Sequence, residues 1–290
     1  MRCLRYMTFR HAQASLHDGL FKVSRLSEFN DPAECRVRFI NSGEVPALRN
    51  YVHDNFDRLK LKCIQMTESF SQESQDRFTE DYIYESYLSS CKRVDQPYEI
   101  ETFGNIILIM CLVKERGLKA ASDTLFWSHY GDSGKGVRIT FDFEEKHKYG
   151  VYYLKDVDYA EEVPSFDLSS FDVWMQGTAF MNYIEQVVTT KGSAWSYENE
   201  VRMIVPIKHP MNQFGFSHIH TKIENGRELL FVGIDHSEIR RVDFGPRVTD
   251  KEVLSFVNES NARQETMHIH WFKTEFDPKR YSYAYRRIAS

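Results

Sequence analysis

The chain has 290 residues, of which 42% are hydrophobic and 14% aromatic, so it is long enough for one large core or a core with an added lobe. A formal net charge of -5 and a pI near 6.1 argue against a general nucleic-acid or membrane-surface binder, which needs a basic face to meet phosphate. A local basic groove stays open.

The cysteines and the apolar runs bear on the compartment. The five cysteines are scattered and form no Cys-x-x-Cys pair, which indicates neither a disulfide framework nor a zinc knuckle. The first residues lack an apolar signal core, and the longest apolar run, 106–113, is too short to span a bilayer. We therefore expect a cytoplasmic protein with no membrane partner.

Hydrophobic periodicity and turn residues predict the secondary structure. The predicted elements are, in chain order, strands at 2–9 and 19–23, a helix at 45–61, helix with a loop within 67–97, a strand at 105–113, a short helical turn at 123–130, strands at 137–143 and 150–155, a helix at 171–188, strands at 201–207, 214–221, 229–234 and 239–244, a helix at 250–261 and a last strand at 267–272. This order predicts a single α+β domain over 1–290. We expect a central, mostly antiparallel sheet, helices concentrated in the first two-thirds, and a helical insertion at approximately 42–104.

The stretch 191–206 carries the strongest chemical pattern. Glu198 and Glu200 stand at the start of a β-branched run, and an extended backbone would place both carboxylates on one side of a strand. Like charges so placed repel, so strand stability alone does not explain them. Two structural alternatives stay open, a solvated strand edge and an ion-pair network closed by Lys191 and Arg202.

Histidines are the other candidate ligands. His129 lies among aromatic neighbours, where histidine is usually a core or boundary residue. The pairs His218/His220 and His268/His270 each place two imidazoles on one predicted strand face. Because no carboxylate or cysteine stands at ligand spacing beside either pair, we expect no metal site.

Several motifs occur in a fixed order over nearly the whole chain. They are Arg5-Tyr6, Glu28-Phe-Asn-Asp-Pro-Ala-Glu34, Trp127-Ser-His-Tyr130, Gly136-Val-Arg-Ile-Thr-Phe-Asp142, Lys191 through Trp195-Ser-Tyr-Glu-Asn-Glu-Val-Arg202, and Gly245-Pro-Arg247. In these motifs the chain resembles the bacterial family called domain of unknown function 2971. The family name carries no established reaction. The resemblance implies a cytoplasmic bacterial protein, some of whose relatives sit near mobile or phage-defence genes.

Over shorter motifs the chain is also similar to mono-ADP-ribosyltransferases of the Arg-Ser-Glu type. The matching residues, in the family's order, are Arg5 in Leu-Arg-Tyr, Ser128 in Trp-Ser-His-Tyr, and Glu198-Asn-Glu200 before a valine. The middle motif departs from Ser-Thr-Ser and lies on a predicted helical turn, which leaves His129 or Tyr130 as substitutes.

This second resemblance implies an ADP-ribosyltransferase-like fold, NAD as substrate, and a macromolecular acceptor, either protein or nucleic acid. Glu200 would hold the ribose and face an oxocarbenium-like charge, while Glu198 would orient the acceptor or take its proton. The implied NAD-binding residues are Arg5 on the pyrophosphate, Trp127 or Tyr130 stacked on nicotinamide, and Tyr6, Ser128 and His129 nearby. Further site candidates are Asn30, Asp31, Lys191, Trp195 and Arg202.

Three functions follow from these patterns. The leading hypothesis is an NAD-dependent ADP-ribosyltransferase-like enzyme acting on a macromolecule, as a phage-defence or toxin effector. The second is a non-catalytic interaction or regulatory protein, such as the partner of a toxin, in which Trp195 and the acidic strand form a recognition edge. The third is a metal-dependent nuclease that uses Asp and Glu.

Overall fold

The structure, a computed structural model, describes most of the chain. The described residues are 1–31, 33–36, 38–40, 45–66, 76–92, 107–144, 147–148, 151–167, 184–207 and 219–288. The chain divides into two compact units, the first formed by Met1–Pro32, Glu101–Tyr159 and Ser193–Ser290 and the second by Ala33–Ile100 and Ala160–Gly192. The expected organisation as a single domain with a helical insertion stays a prediction.

The described residues combine strands and helices along the whole chain. The strands are β1 (Arg2–Met7), β2 (Leu20–Val23), β3 (Arg38–Ile40), β4 (Ile107–Lys114), β5 (Val137–Asp142), β6 (His147–Lys148), β7 (Tyr152–Asp156), β8 (Asp158–Ala160), β9 (Ser165–Asp167), β10 (Thr190–Gly192), β11 (Glu200–Pro206), β12 (Ile219–Glu224), β13 (Arg227–Gly233), β14 (Ile239–Phe244), β15 (His270–Phe276) and β16 (Tyr283–Arg287). The helices are α1 (Phe9–Asp18), α2 (Val45–Asp54), α3 (Phe56–Met66), α4 (Glu80–Lys92), α5 (Ala120–His129) and α6 (Asp250–Asn261), and residues 184–189 are also helical.

In the first unit, nine described strands form one sheet. Their order is β16-β15-β14-β5-β1-β4-β11-β7-β6. Neighbours are antiparallel except β14 and β15, which are parallel. The predicted α+β class with a mostly antiparallel sheet is confirmed. A smaller antiparallel sheet in the same unit has the order β12-β13-β2.

Both faces of the large sheet are apolar, which explains why β4 and β11 carry almost continuous hydrophobic runs. One face packs in the main core, with Met110 and Met203 among its wholly buried residues. On the other face a smaller cluster forms where α5 contributes Phe126 and Trp127 against Leu4 of β1. The sheet therefore positions α5 over the strands that precede and follow it.

Helix ends follow local sequence signals. The Thr8 hydroxyl accepts a hydrogen bond from the backbone of α1, and that helix stops at Gly19, whose φ of 68° suits glycine. No helix was predicted between the strands at 2–9 and 19–23, so α1 is an addition to the predicted elements. Thr249 and Glu252 form the capping box that opens α6, and the helix has the predicted bounds of 250–261.

Close backbone contacts fix the turn between α5 and β5. A Cβ on Gly136 would lie 2.2 Å from the Met7 carbonyl oxygen, and a Cβ on Gly245 would lie 2.3 Å from that of Gly134. The Gly245 amide donates to the Gly136 carbonyl at 2.9 Å. Glycine is required at these positions because the backbones of β1, β14 and the turn touch there.

The second unit contains α2, α3 and α4, which pack through Val52, Leu59, Ile83 and Tyr84. The predicted helix at 45–61 is two helices, because residue 55 separates α2 from α3. β3 and β9 pair in parallel. The predicted elements at 171–183 and 214–218 lie outside the described residues. Among those described, no helix is both long and apolar enough to cross a bilayer.

Candidate functional site

The two glutamates lie on different kinds of backbone. Glu198 ends a short 3-10 helix, Ser193–Glu198, and β11 begins at Glu200. Asn199 between them has a φ of 47°, and its side-chain amide donates to the carbonyls of Lys114 at 3.1 Å and Arg116 at 2.9 Å. The expectation of an extended backbone through both acids is therefore wrong, because Asn199 turns the chain just before the strand.

Both carboxylates are buried. Glu198 is 4% exposed and Glu200 is 6% exposed, although glutamate is mostly a surface residue. β11 lies between β4 and β7, so it is an interior strand. This position contradicts the solvated-edge explanation, and it also leaves the acidic strand unable to serve as a recognition edge.

Each glutamate has a defined donor. The Tyr130 hydroxyl donates to Glu198 at 2.6 Å. Arg202, wholly buried, donates from Nε to Glu200 at 2.8 Å, and its guanidinium carbon lies 5.1 Å from the centre of the Phe29 ring. Of the two cations proposed to neutralise the acids, Arg202 therefore has that role for Glu200.

Half-buried aromatic rings adjoin Glu198. Tyr130 packs against Phe126 with ring centres 5.9 Å apart, and Tyr197 packs against Phe126 at 6.3 Å. Trp195 continues the row, 6.1 Å from Tyr197. Because Tyr130, Tyr197 and Trp195 are each partly exposed, the buried carboxylate borders an aromatic surface that a flat ligand could contact. We call these three rings the aromatic row.

The remaining polar candidates differ in burial and in their hydrogen-bond partners. Ser128 and His129 are exposed at the end of α5, and the Ser128 hydroxyl donates to the Thr124 carbonyl at 3.1 Å. Asn30 is exposed and Asp31 is half-buried. Lys191 belongs to the second unit, where its ammonium forms a buried ion pair with Glu34 at 2.9 Å.

Arg5 is not brought together with the acids. Leu4 and Glu200 both lie opposite Val113, so they share a face of the sheet, and strand alternation sends the Arg5 side chain to the opposite face. There one guanidinium nitrogen donates to the Lys22 carbonyl at 2.8 Å, and the other, Nη1, is buried without a hydrogen-bond partner among the described residues. Burial lowers the pKa of Arg5 to about 10.

Trp127 and Tyr6 also fall outside the site. Trp127 is 1% exposed and meets the Tyr6 ring edge-on at 5.2 Å, so it has no face free to stack on nicotinamide. The Tyr6 hydroxyl donates to the Asp123 carboxylate. Both rings are packing residues beneath α5, in the same cluster as Val113, which lies opposite Glu200.

Sequence reasoning missed a second buried charge cluster. Arg138 on β5 donates to Asp243 at 3.0 and 3.1 Å, to Asp123 at 3.0 Å and to the Tyr285 hydroxyl at 3.0 Å. Burial alone would lower the pKa of Arg138, but Asp243 and the other neighbours raise it well above its ordinary value. We call Arg138, Asp243, Asp123, Tyr6 and Tyr285 the Arg138 cluster. The sequence signal for this cluster was an arginine inside an otherwise apolar strand pattern.

Potential metal ligands do not gather in the parts of the chain that the structure describes, where no group of three or more His, Cys, Asp and Glu has suitable geometry. His220 and His270 are exposed, and the His268 imidazole contacts the backbone carbonyls of His236 and Ile239. His218 lies outside the described residues.

The fold and this site define an α+β protein whose large, mostly antiparallel sheet holds a buried acid pair beside an aromatic row. Residues 126–203 match the model of the family described as protein of unknown function DUF2971. The resemblance to that family is confirmed over this segment, which includes Tyr130, Glu198, Glu200 and Arg202. Neither the curated proteins nor the solved structures contain a match to the chain.

Proposed function

We propose that the protein is an NAD-dependent ADP-ribosyltransferase-like enzyme that modifies a macromolecule. The bond between nicotinamide nitrogen and ribose C1′ would break with its electron pair leaving on nicotinamide, and an acceptor nucleophile would then bond to C1′. A carboxylate beside the ribose stabilises the oxocarbenium-like charge of such a step, as in glycoside hydrolysis.

Glu200 and Glu198 would have different roles in this reaction. Glu200 would face the developing charge and hold the ribose hydroxyl, because its ion pair with Arg202 fixes the carboxylate at the start of β11. Glu198 would accept the proton that the acceptor nucleophile loses. The Tyr130 hydroxyl orients Glu198, since it already donates to that carboxylate.

The aromatic row keeps Tyr130 as a stacking residue and puts Tyr197 and Trp195 in the place of Trp127. Tyr130, Tyr197 and Trp195 are partly exposed, whereas Trp127 is buried, so nicotinamide or adenine would stack on the row. Arg5 is no longer assigned to bind the pyrophosphate, because its side chain projects from the opposite face of the sheet.

One observation carries the proposal: two buried carboxylates, two residues apart in the chain, are each held by a specific donor, and Glu198 adjoins the partly exposed aromatic row. Buried acids cost free energy unless they are paired, and sites for catalysis are where such groups collect. Action in the cytoplasm, as a toxin or phage-defence effector, rests on the family resemblances alone.

NAD binding tests the proposal through thermal unfolding. A ligand that binds only the folded state raises the unfolding temperature as its concentration rises above Kd. We expect NAD to raise the unfolding temperature of the wild type and ATP, which lacks nicotinamide, to raise it less. Tyr197→Ala should remove most of the difference, while Glu265→Gln, an exposed acid, should keep it.

Absence of any NAD effect on the wild type at millimolar concentration would contradict the proposal. Activity on nucleic acid that needs magnesium and not NAD would favour the nuclease instead.

One observation favours the interaction protein as second candidate. The Arg202 to Glu200 ion pair joins two residues of one strand, and a buried pair of this kind also occurs as a purely structural feature. On that account neither Glu200 nor the aromatic row would affect any NAD-dependent signal, and Trp195 would contribute only to binding a partner protein.

A further inference from the structure

A groove at the tip of the last hairpin has the chemistry of a nucleic-acid site. The turn that joins β15 to β16, residues 277–282, and the flanking Phe276 and Tyr283 surround a cavity of about 480 Å³, which Thr124 of α5 closes on one side. Phe276 is 61% exposed and Tyr281 is fully exposed. We call this the hairpin groove.

The turn is built as an ordered loop. The Asp277 amide donates to the Ser282 carbonyl at 3.0 Å, and the Asp277 carboxylate accepts from the Lys279 amide at 2.8 Å. These bonds hold the loop closed at its base and occupy the one acid of the turn. The exposed Tyr281 ring is therefore presented by a fixed backbone rather than by a free chain end.

Charge in this segment has the opposite sign to that of the chain. Residues 270–288 contain five Lys or Arg and two Asp or Glu, whereas the whole chain carries a formal net charge of -5. Lys279 and Arg280 are exposed, and within the described ranges neither side chain forms an ion pair. Two uncommitted cations thus stand directly before an exposed tyrosine.

Cations beside exposed rings match single-stranded nucleic acid. Bases without a partner strand stack on aromatic side chains, and the phosphates between them pair with Lys and Arg. Protein–protein interfaces are also enriched in aromatic residues and Arg but are depleted of Lys, so Lys279 beside Arg280 and the exposed ring favours a phosphate-bearing partner. The sequence leaves room for such a site, because an acidic chain excludes a general basic face but not a local basic groove.

The position of the hairpin groove links it to the acid pair. Thr124 lines the groove, and Tyr130, six residues later at the end of the same helix, donates to Glu198. At 1.5 Å per helical residue the two positions are about 9 Å apart along α5. A strand held in the groove would reach the acid pair within a few nucleotides.

We propose that the hairpin groove binds single-stranded nucleic acid and thereby supplies the acceptor. The binding stands by itself, while the acceptor role rests on the proposed function.

The test is fluorescence anisotropy of labelled single-stranded RNA and DNA of mixed sequence, with duplexes of the same sequences for comparison and no NAD present. The wild type should bind single strands more tightly than duplexes. Tyr281→Ala should weaken binding about fivefold to a hundredfold through the lost stacking. The double variant Lys279→Ala/Arg280→Ala should flatten the slope of log K against log salt by about 1.4, about 0.7 for each phosphate contact.

Matched controls come from other exposed positions. Tyr82→Ala removes an exposed ring in the second unit, and Arg227→Ala removes a cation at another hairpin turn. Both should bind as the wild type does. Glu200→Gln should also bind single strands as tightly as the wild type. The binding result therefore stands even if the NAD chemistry fails.

The proposal is overturned if the wild type binds no single strand, or if Tyr281→Ala binds as tightly as the wild type. Equal affinity for duplexes would overturn the preference for single strands. A third outcome also overturns the proposal. In it the wild type binds no oligonucleotide but ADP-ribosylates a protein in nuclease-treated lysate, and Tyr281→Ala loses that labelling. The groove would then bind a protein acceptor.

Discussion

The Arg138 cluster and the acid pair are two buried charge clusters of the first unit, and they are built differently. Arg138 bridges Asp123 of α5 and Asp243 of β14, so the cluster joins elements that are far apart in sequence. Arg202, which pairs with Glu200, is only two residues away on the same strand. The first arrangement ties the fold together, whereas the second holds one carboxylate in place.

The two clusters also differ in how exposed their neighbouring groups are. Acids and cations of the Arg138 cluster are enclosed, with Asp243 wholly buried and Arg138 6% exposed. Glu198 instead receives its hydrogen bond from Tyr130, a partly exposed ring of the aromatic row. Buried charge is common to both, so burial alone does not identify a functional site. The acid pair is distinguished by the row of three partly exposed rings that adjoins Glu198, whereas the Arg138 cluster has one partly exposed ring, Tyr285.

The largest expected effect falls on the Arg138 cluster. Arg138→Ala leaves the buried Asp123 without its cation and leaves Asp243 with only the half-buried Arg241, which should lower the free energy of unfolding by about 3–5 kcal/mol. Urea unfolding measures this change. Arg10→Ala, which removes an exposed partner of Glu224, should have little effect. An equally small effect of Arg138→Ala would mean that the cluster does not hold the sheet to α5.

A smaller effect on stability but a larger one on activity is expected at Tyr130. Tyr130→Phe removes the donor to a buried carboxylate, which should cost about 1–3 kcal/mol of stability. NAD turnover should fall at least tenfold, because the base loses its orientation.

Tyr152→Phe is the matched control, since the Tyr152 hydroxyl donates to Glu238 at 2.9 Å away from the acids. It should lower stability comparably and leave turnover unchanged. If both variants lose turnover equally, Tyr130 contributes only to folding.

The smallest effect concerns alkaline pH. Burial raises the pKa of Tyr285, and the negative charge of Asp123 raises it further. The folded state therefore keeps the phenol proton that the unfolded chain releases near pH 10. The unfolded state then binds fewer protons, and stability should fall as pH rises above 10. Tyr285→Phe should reduce this fall by up to about 1.4 kcal/mol per pH unit. Tyr281→Phe, at an exposed position, should follow the wild-type profile, and an unchanged slope in Tyr285→Phe would contradict the assignment.

Local patterns predicted the elements whose signals are local. β14 has the predicted bounds of 239–244, and α6 has the predicted bounds of 250–261. α1 was missed because its helix-forming stretch contains few apolar residues, although Thr8 and Gly19 mark its ends. β16 was missed because only its pairing with β15 makes it a strand.

The site was predicted by residue type and missed in its geometry. Glu198 and Glu200 stood out as a close pair, but the left-handed Asn199 between them depends on contacts with the distant carbonyls of Lys114 and Arg116. The position of Arg5 on the other face follows from strand register, which no short motif contains. The Tyr130 to Glu198 bond likewise spans 68 positions and needed the fold.

The central claim is that the acid pair performs chemistry on NAD. The most direct measurement is nicotinamide release, followed by mass spectrometry, from NAD mixed with purified protein and bacterial lysate. Glu200→Gln keeps a hydrogen-bond acceptor for Arg202, so it should stay folded while release falls at least a hundredfold. Asp243→Asn, in the Arg138 cluster, should lose stability but release nicotinamide in proportion to its folded fraction. No release by the wild type above buffer, or release unaffected by Glu200→Gln, would contradict the account and leave the acid pair a structural feature of the sheet.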